Sequence, residues 1–385
     1  MNRDRLSPRI LTISGVLMFF SLYVTGPIWP LYLQAQGLET GILGFIMGLY
    51  GFALIFSRVP IGLVADRCSG YRRILVSAGF IIIALGMVSA LFAIPVMQGL
   101  GRILIGIGAG FFVPIVILYS VYFPDTSLFK SMGRSAAFFG LGQIPAHPLG
   151  GILADNFGFE VTFWVSAIFA LFGALLVLII KEPSISRAET MKLPKSRLLY
   201  SASLLMAAVF FVVFATAYTL TPIYADSTLA VSKSVQGLLL MTYLVAYVVS
   251  VLNSFRLTDA FGVMPVVVSG LVFIGVSSLL TPFASLTLLF FCELLLGIGL
   301  GFTWGSLMAL SVCQVAPELR FGAMGIFQSI YAVGMFAGPA ISSQIAQHLG
   351  LSSAFYLNAI VAAAAFIYAL SQKTAVENIA PSHHG

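Results

Sequence analysis

Twelve long apolar segments, separated by short polar loops, account for most of this 385-residue chain. A helix needs about 20 mostly apolar residues to cross the hydrocarbon core of a bilayer. The segments that reach this length are 9–34, 41–65, 73–93, 95–122, 131–154, 160–180, 197–223, 234–255, 262–281, 285–313, 320–346 and 351–370. With 59% hydrophobic residues the chain exceeds the apolar share of soluble domains. The sequence therefore predicts an all-α membrane protein that crosses the bilayer twelve times.

The positive charges indicate which way the chain faces. Cytoplasmic loops of membrane proteins carry an excess of Lys and Arg. If the N-terminus is inside, all but three of the 19 lysines and arginines lie in cytoplasmic segments. The exceptions are Lys233 in an outer loop and Arg58 and Arg102 within spans. We therefore expect a multi-pass protein of the inner (cytoplasmic) membrane with both termini in the cytoplasm.

Internal repetition divides the chain into two halves. The run Arg-x-x-x-Gly-x-Gly-x-Gly that begins at Arg102 in span 4 corresponds to Glu-x-x-x-Gly-x-Gly-x-Gly from Glu293 in span 10. Asp66 after span 2 corresponds likewise to Asp259 after span 8. The longest polar stretch lies between the repeats. The predicted organisation is a six-helix bundle over 1–180, a cytoplasmic linker over 181–196, a second six-helix bundle over 197–372 and a cytoplasmic tail over 373–385.

A charged loop joins spans 2 and 3. Its pattern, G-x-x-x-D-R-x-x-G-x-R-R from Gly62 to Arg73, resembles the loop between helices 2 and 3 of the major facilitator superfamily. The family form has one residue fewer before the second Gly. Together with the Arg-x-x-x-Gly of span 4 and the repeated halves, the resemblance covers nearly the whole chain. It implies two pseudo-symmetric bundles that rock around a substrate cavity near the bilayer midplane.

The resemblance also implies a cytoplasmic gate. An acidic side chain can cap the positive end of a facing helix. Asp66 would meet the start of span 11 near Arg320, and Asp259 the start of span 5 near Arg134. Loop charges that are merely solvated are the alternative. The gating candidates are Arg58, Gly62, Asp66, Arg67, Gly70, Arg72, Arg73, Arg134, Asp259 and Arg320.

Ionisable residues inside spans are costly and often functional. Arg102 and Glu293 either pair across the cavity, separate when a proton or substrate enters, or form a structural salt bridge. Glu293 is the better proton carrier, because arginine stays charged. His147 is either a further proton site or a core imidazole bonded to Gln143 or a backbone carbonyl. It replaces a Gly of the proline- and glycine-rich motif that the family's exporters carry in span 5, so that motif is incomplete.

Aromatic and amide residues on the predicted cavity-lining spans are candidates for substrate binding. Trp29, Tyr32 and Tyr224 also suit an aromatic belt at the membrane surface. The substrate-binding candidates are Trp29, Tyr32, Tyr119, Gln143, Tyr218, Trp304, Gln328 and Tyr331.

Several function classes find no support in the sequence. The chain has no P-loop for ATP, and its three scattered cysteines follow no metal-site spacing. Its net charge of +6 forms no basic groove for nucleic acid. We expect neither an enzyme nor a cofactor or metal, and a monomer whose partners are a small-molecule substrate, protons and the lipid bilayer.

The sequence predicts a secondary active transporter that exports amphipathic or drug-like molecules in exchange for protons, by alternating access. Uptake or exchange of a small organic anion, bound by Arg102, is the first alternative. A membrane sensor that shares the ancestry of transporters but moves no substrate is the second.

Overall fold

The computed structural model describes residues 3–68, 70–122, 128–182, 196–316 and 319–377. Every regular element within these ranges is helical. The helices before the linker are α1 (Arg3–Tyr23), α2 (Ile28–Ala35), α3 (Thr40–Arg67), α4 (Arg72–Ser89), α5 (Pro95–Gly110), α6 (Phe112–Tyr122), α7 (Leu128–Phe157) and α8 (Phe159–Leu178). Those after it are α9 (Arg197–Ala215), α10 (Thr221–Ser227), α11 (Lys233–Phe261), α12 (Val263–Leu280), α13 (Leu286–Val312), α14 (Arg320–Leu349) and α15 (Leu351–Glu377).

Eleven helical stretches in the described ranges are long and apolar enough to cross a membrane. They coincide with eleven of the twelve predicted spans. The remaining span, 131–154, lies in α7, where the side chains of residues 128–137 fall outside the described set. The predicted all-α membrane fold is confirmed.

Two predicted spans are interrupted where the sequence suggested continuous helices. Span 1 breaks between α1 and α2 at a turn that ends in Pro27, and span 7 passes through the π-helical turn Thr216–Leu220 before α10, which contains Pro222. Proline lacks the N–H that a continuous helix needs, and π-turns occur mostly as single-turn bulges within helices. The breaks fall at matching places in the two halves.

Glycines let the interrupted spans pack closely against α7 and α14. A Cβ at Gly150 in α7 would collide with the carbonyl of Val24 beside the break in span 1, and one at Gly338 in α14 with the carbonyl of Phe211 in α9. Small residues at helix contacts are a general means of close packing in membranes. Span 5 therefore packs on span 1 as span 11 packs on span 7.

We call the end of the bundle with Arg72 and Arg73 the basic end, and the other the opposite end. At the opposite end the two halves are in close contact. Gly44 of α3 packs on Ser343 of α14, and Gly151 of α7 packs on the carbonyl of Lys233 at the start of α11. Two inter-half seams, α3 with α14 and α7 with α11, thus hold this end closed.

Candidate substrate cavity and charged sites

A cavity of about 90 Å³ lies between the two halves near the middle of the bundle. Both halves line it, and most of the side chains are aromatic. They include Tyr23, Tyr50 and Phe139 from the first half and Phe210 and Phe214 from the second. The sequence analysis did not single out these five residues. Phe is too frequent here to be informative, and only the helix rotations bring these rings to one place.

One cationic side chain, that of Arg58, is part of the cavity lining. Arg58 of α3 donates from Nη1 to Oε1 of Gln328 at 2.6 Å and to the hydroxyl of Tyr331 at 2.5 Å, both on α14. Its guanidinium lies over the Tyr331 ring, 5.3 Å from the centroid. Trp304 lines the same cavity, and its indole N–H has no hydrogen-bond partner. Three predicted binding residues, Trp304, Gln328 and Tyr331, thus meet here with Arg58, a gating candidate that joins the two halves.

Two further candidates meet nearer the opposite end. The hydroxyl of Tyr218, in the π-turn of span 7, donates to Oε1 of Gln143 in α7 at 2.9 Å. The Tyr218 ring packs against Tyr23, with centroids 5.6 Å apart. This hydrogen bond joins the two halves between the cavity and the opposite end.

The other predicted binding residues lie within the first half. Trp29 and Tyr32 pack on Phe163 of α8, with ring centroids 5.0 and 5.3 Å away. Tyr119 packs on Phe138, also at 5.3 Å. None of the three lines the cavity, because the faces of α2 and α6 that carry them turn into the core of their own half.

Arg102 is buried, and its hydrogen bonds are made within the first half. Its Nη2 and Nε donate to the carbonyl oxygen of Met47, at 2.7 and 3.3 Å. Its guanidinium lies 5.1 Å from the ring of Trp29 and 5.4 Å from that of Tyr50. A π-face over a desolvated guanidinium is a favourable contact. Arg102 is therefore held without an acidic partner.

Glu293 is buried in the second half but far less well satisfied. Its Oε2 makes no hydrogen bond of ordinary geometry. It shares a small pocket with Thr221 of α10, whose hydroxyl lies within reach of the carboxyl, and with Gln236 of α11, whose Oε1 lacks a partner. In the described part of the chain no ion pair joins Glu293 to Arg102. The two residues are therefore not paired in this conformation.

His147 is fully buried where span 1 breaks. A Cβ at Gly26 would collide with its ring, and the rings of Tyr23 and Tyr218 each lie 6.0 Å away. Neither imidazole nitrogen makes a hydrogen bond of ordinary geometry. The bond to Gln143 that a structural histidine could make is not formed, whereas the backbone carbonyl of Tyr23, the other kind of partner expected, lies within reach of the ring.

At the basic end, a residue the sequence analysis missed organises the loop between spans 2 and 3. Glu182 accepts the backbone N–H of Gly70 at 2.9 Å and that of Arg72 at 2.8 Å, and lies 3.5 Å from the Arg72 guanidinium. Arg72 also donates to the carbonyl of Ala65 at 2.8 Å, and Arg73 to that of Ile180 at 3.0 Å. Gly70 has a φ of +89°, which favours glycine.

Part of the predicted gate lies outside the described side chains. This applies to Asp66, Arg67 and Arg134, so their predicted contacts stay predictions. Asp259 is exposed at the end of α11. Arg320 begins α14 and donates to the carbonyl of a preceding residue, Val315, at 3.3 Å.

Gly62 of the same loop motif lies in α3 near its basic end. A Cβ there would only touch Val113 of α6, at 3.6 Å. This position therefore tolerates a small side chain in the conformation of the structure.

At the opposite end, two caps join the halves, and neither was predicted. Asp155, just beyond the fifth span, accepts the backbone N–H groups of Lys233 and Ser234 at 3.1 and 2.7 Å and the Ser234 hydroxyl at 2.5 Å. It thereby caps the start of α11, with the Lys233 ammonium 3.7 Å away. Partial burial alone would raise the pKa of Asp155, but these hydrogen bonds and the ammonium outweigh it, and the pKa is lowered.

The second cap uses an amide. Gln347 near the end of α14 accepts the backbone N–H of Gly41 in α3 at 2.8 Å and donates to Glu39 at 2.8 Å. The end of span 5 thus caps span 8, and the end of span 11 caps span 2. A search for acidic and amide residues at span ends of opposite halves would have found both caps.

Comparisons with known proteins agree with this architecture. The model of the Major Facilitator Superfamily matches residues 11–228 and 203–382. The multi-drug resistance efflux pump PmrA of Streptococcus pneumoniae is 29% identical over 173 residues, 44% of this chain and 43% of the pump. The match therefore spans less than half of the pump's length. A probable sugar efflux transporter of Mannheimia succiniciproducens is 26% identical over 349 residues, 84% of this chain and 83% of that protein.

The fold also matches solved structures. A bacterial homolog of the human lysosomal transporter Spinster, crystallised in an inward-facing and unoccupied conformation, superposes with a TM-score of 0.78. The match covers 98% of each chain at 17% identity. The family model covers nearly the whole sequence, and the chain belongs to the Major Facilitator Superfamily.

Proposed function

We propose that this protein is a secondary active transporter that exports an amphipathic small molecule in exchange for protons. The observation that carries the proposal is the aromatic cavity between the two halves. It combines a large apolar surface with one charged and a few polar groups, as small-molecule sites generally do. Substrate sites of transporters with internal repeats lie at such an interface.

Alternating access then uses the contacts between the halves. The opposite end is closed in the structure by the α3–α14 and α7–α11 seams and by the Asp155 and Gln347 caps. We propose that the basic end is cytoplasmic, following the distribution of Lys and Arg. Export would require the opposite end to open while the basic end closes around Arg58 and the loop from Gly62 to Arg73.

Glu293 is the proposed site of proton coupling. A buried carboxylate without a partner is unfavourable while charged, and uptake of a proton removes that cost. Arg102 cannot serve in this way, because arginine does not give up its proton in proteins. His147, which is fully buried beside the break in span 1, is the second candidate.

Efflux is supported by what similar proteins are called: a multi-drug efflux pump and a probable sugar efflux transporter. Uptake or exchange of a small organic anion remains the second candidate function, because the cavity wall carries a cation. A sensor that moves nothing is the third.

Reconstitution separates the three functions. We expect purified protein in liposomes to move a substrate against its concentration gradient when a proton gradient drives protons in the opposite direction. Transport should stop when an ionophore collapses the proton gradient. Movement in the same direction as the protons would favour uptake. Ligand binding without any transport would favour a sensor.

Sidedness needs its own measurement. Maleimide labelling of a Ser186→Cys protein in intact cells tests it, with Ser227→Cys at the other end as the control. We expect Ser186→Cys to react only after the membrane is permeabilised, and reaction from outside would reverse the assignment.

A further inference from the structure

The charge inventory of the cavity is one-sided. Among the described residues that line it, Arg58 is charged and none is acidic. Glu293 lines a separate, smaller pocket within the second half. Arg102 lines a smaller pocket next to the cavity, with which it shares Tyr23, Tyr50 and Phe214. A substrate in the cavity therefore meets a positive charge that no neighbouring carboxylate neutralises.

Hydrogen-bond donors also outnumber acceptors. The Oε1 of Gln328 is occupied by Arg58, while the Nε1–H of Trp304 is unpartnered. The Tyr331 oxygen accepts from Arg58, so the phenol keeps its own proton to donate. The cavity is thus built for a ligand that accepts hydrogen bonds.

Arg58 is held with one edge of its guanidinium free. Both of its hydrogen bonds leave from Nη1, and the ring of Tyr331 supports its face. The Nε–H and the outer Nη2–H, which point to the same side, have no partner among the described residues. This parallel pair is the edge that binds a carboxylate with two hydrogen bonds.

The same edge of Arg102 is already in use. Its Nε and Nη2 both donate to the carbonyl of Met47. An anion could reach that edge only by breaking both bonds. This contrast moves the anion-binding role, which the sequence suggested for Arg102, to Arg58.

We propose that the transported molecule is a small amphipathic anion, an aromatic or apolar body with one carboxylate or sulfonate, and that Arg58 binds the acid group. The proposal rests on the transport function above and names the substrate class of that cavity. The acid group lies on the Nε–Nη2 edge of Arg58, and the body packs among Phe139, Phe210 and Trp304. At about 10–15 Å³ for each water-sized group, the cavity of about 90 Å³ accommodates a single-ring molecule in this conformation.

The test compares three probes of nearly equal size and different charge: benzoate, benzamide and benzylammonium. Binding to the purified full-length protein is measured by thermal shift and by quenching of tryptophan fluorescence. We expect benzoate to bind at least about tenfold more tightly than the other two. Tighter or equal binding of benzylammonium or benzamide, or no benzoate binding at millimolar concentrations, overturns the proposal.

Variants assign the effect to Arg58. Arg58→Gln should weaken benzoate binding by about tenfold or more and abolish the preference for the anion. Arg58→Lys keeps the charge without the paired donors, so it should retain part of the preference. Arg256→Gln, which removes an exposed charge on α11, should bind like the wild type. If Arg58→Gln does not fold, the test uses Arg58→Lys instead. A folded Arg58 variant that binds benzoate as tightly as the wild type contradicts the assignment.

Transport assays on the same probes keep the two proposals apart. Proton-driven export of benzylammonium but not of benzoate would leave the transport function intact and refute the anionic substrate. Arg58-dependent binding of benzoate without any transport would support the anion site and refute the exporter.

Discussion

The two halves of the molecule place opposite charges at equivalent positions, and only one charge is satisfied. Arg102 donates twice to the carbonyl of Met47 and lies against two aromatic rings. Glu293 has an oxygen with no partner. The first half thus holds a permanent charge in a fixed position, whereas the second holds a carboxyl whose charge the structure does not stabilise. The two repeats thus place an ionisable residue at the same position, but one residue is a base and the other an acid.

The pockets around the two residues are also related. If Gly44 in α3 is aligned with Gly237 in α11, Met47 corresponds to Leu240, which lines the Glu293 pocket. Each charged residue therefore faces the same turn of the neighbouring helix in its own half. What differs is the occupant of that space, a guanidinium in one half and a carboxyl in the other.

The caps at the opposite end differ in the same way. Asp155 caps α11 with a carboxylate, and Gln347 caps α3 with an amide. In one inter-half seam the capping group is itself a carboxylate, whereas in the other it is a neutral amide that also donates to the carboxylate of Glu39. Glycine packing, by contrast, is shared by both halves, at Gly150 against span 1 and at Gly338 against span 7.

The shared packing should give the largest effects. Gly150→Val and Gly338→Val each force a side chain against a backbone carbonyl, and we expect each to lower the free energy of unfolding by about 1–3 kcal/mol or more. Thermal unfolding in detergent measures this. Gly275→Val is the control, because a Cβ there only touches Ala362 at 3.6 Å. If Gly338→Val and Gly275→Val have the same unfolding temperature, the packing of the second half is looser than described.

The two buried charges should respond in opposite ways. Arg102→Met removes charge-assisted hydrogen bonds, and we expect it to cost about 1.5–3 kcal/mol of stability. Glu293→Gln removes a charge that no cation of the described residues neutralises, so stability should be unchanged or higher. Thermal unfolding of the two variants side by side is the measurement. An equal loss in both would mean that Glu293 has a partner, and the contrast between the halves would fail.

Transport sharpens the same contrast. We expect Glu293→Gln to abolish proton-driven transport while counterflow, which needs no net proton movement, continues. If proton-driven transport by Glu293→Gln equals that of the wild type, Glu293 is not the coupling site, and His147 becomes the next candidate.

The caps should give the smallest effects, and the carboxylate of Asp155 should make its cap depend on pH. Asp155→Asn removes the negative charge at the start of α11 and is expected to weaken closure of the opposite end by about 0.3–1 kcal/mol. The pKa of Asp155 is lowered in the closed state, so the cap contributes fully above the ordinary value of 3.8 and is lost as pH falls through the lowered pKa.

Accessibility of a cysteine introduced between the halves, followed against pH, measures this. In the wild type and in Gln347→Ala, acid should open the end of the bundle that Asp155 caps. In Asp155→Asn, that end should be open to the same extent at every pH tested. Acid-induced opening that persists in Asp155→Asn would assign it to another group.

Much of the candidate site could be found from residue type, and some of it could not. Arg102, Glu293 and His147 were recognisable because ionisable residues are rare in apolar spans. Trp304, Gln328 and Tyr331 were selected as polar or aromatic positions on the expected helices. The sequence places Arg58 in the gate, because its position near the end of span 2 does not reveal which neighbour its side chain meets. Trp29, Tyr32 and Tyr119 have the same residue types as the cavity residues but face inward within one half.

The sequence by itself determined that this chain crosses a membrane, in which segments, and that it consists of two related halves. These are local properties, because hydrocarbon requires a run of about 20 apolar residues whatever lies beside it. Only the tertiary structure decided which arginine has a guanidinium edge without a partner among the described residues, that no described cation pairs with Glu293, and that Asp155 and Gln347 cap helices of the other half. Each of these depends on how helices far apart in the chain are rotated and packed against one another. Glycine contacts and proline breaks in several helices set that arrangement together, so no single segment determines it.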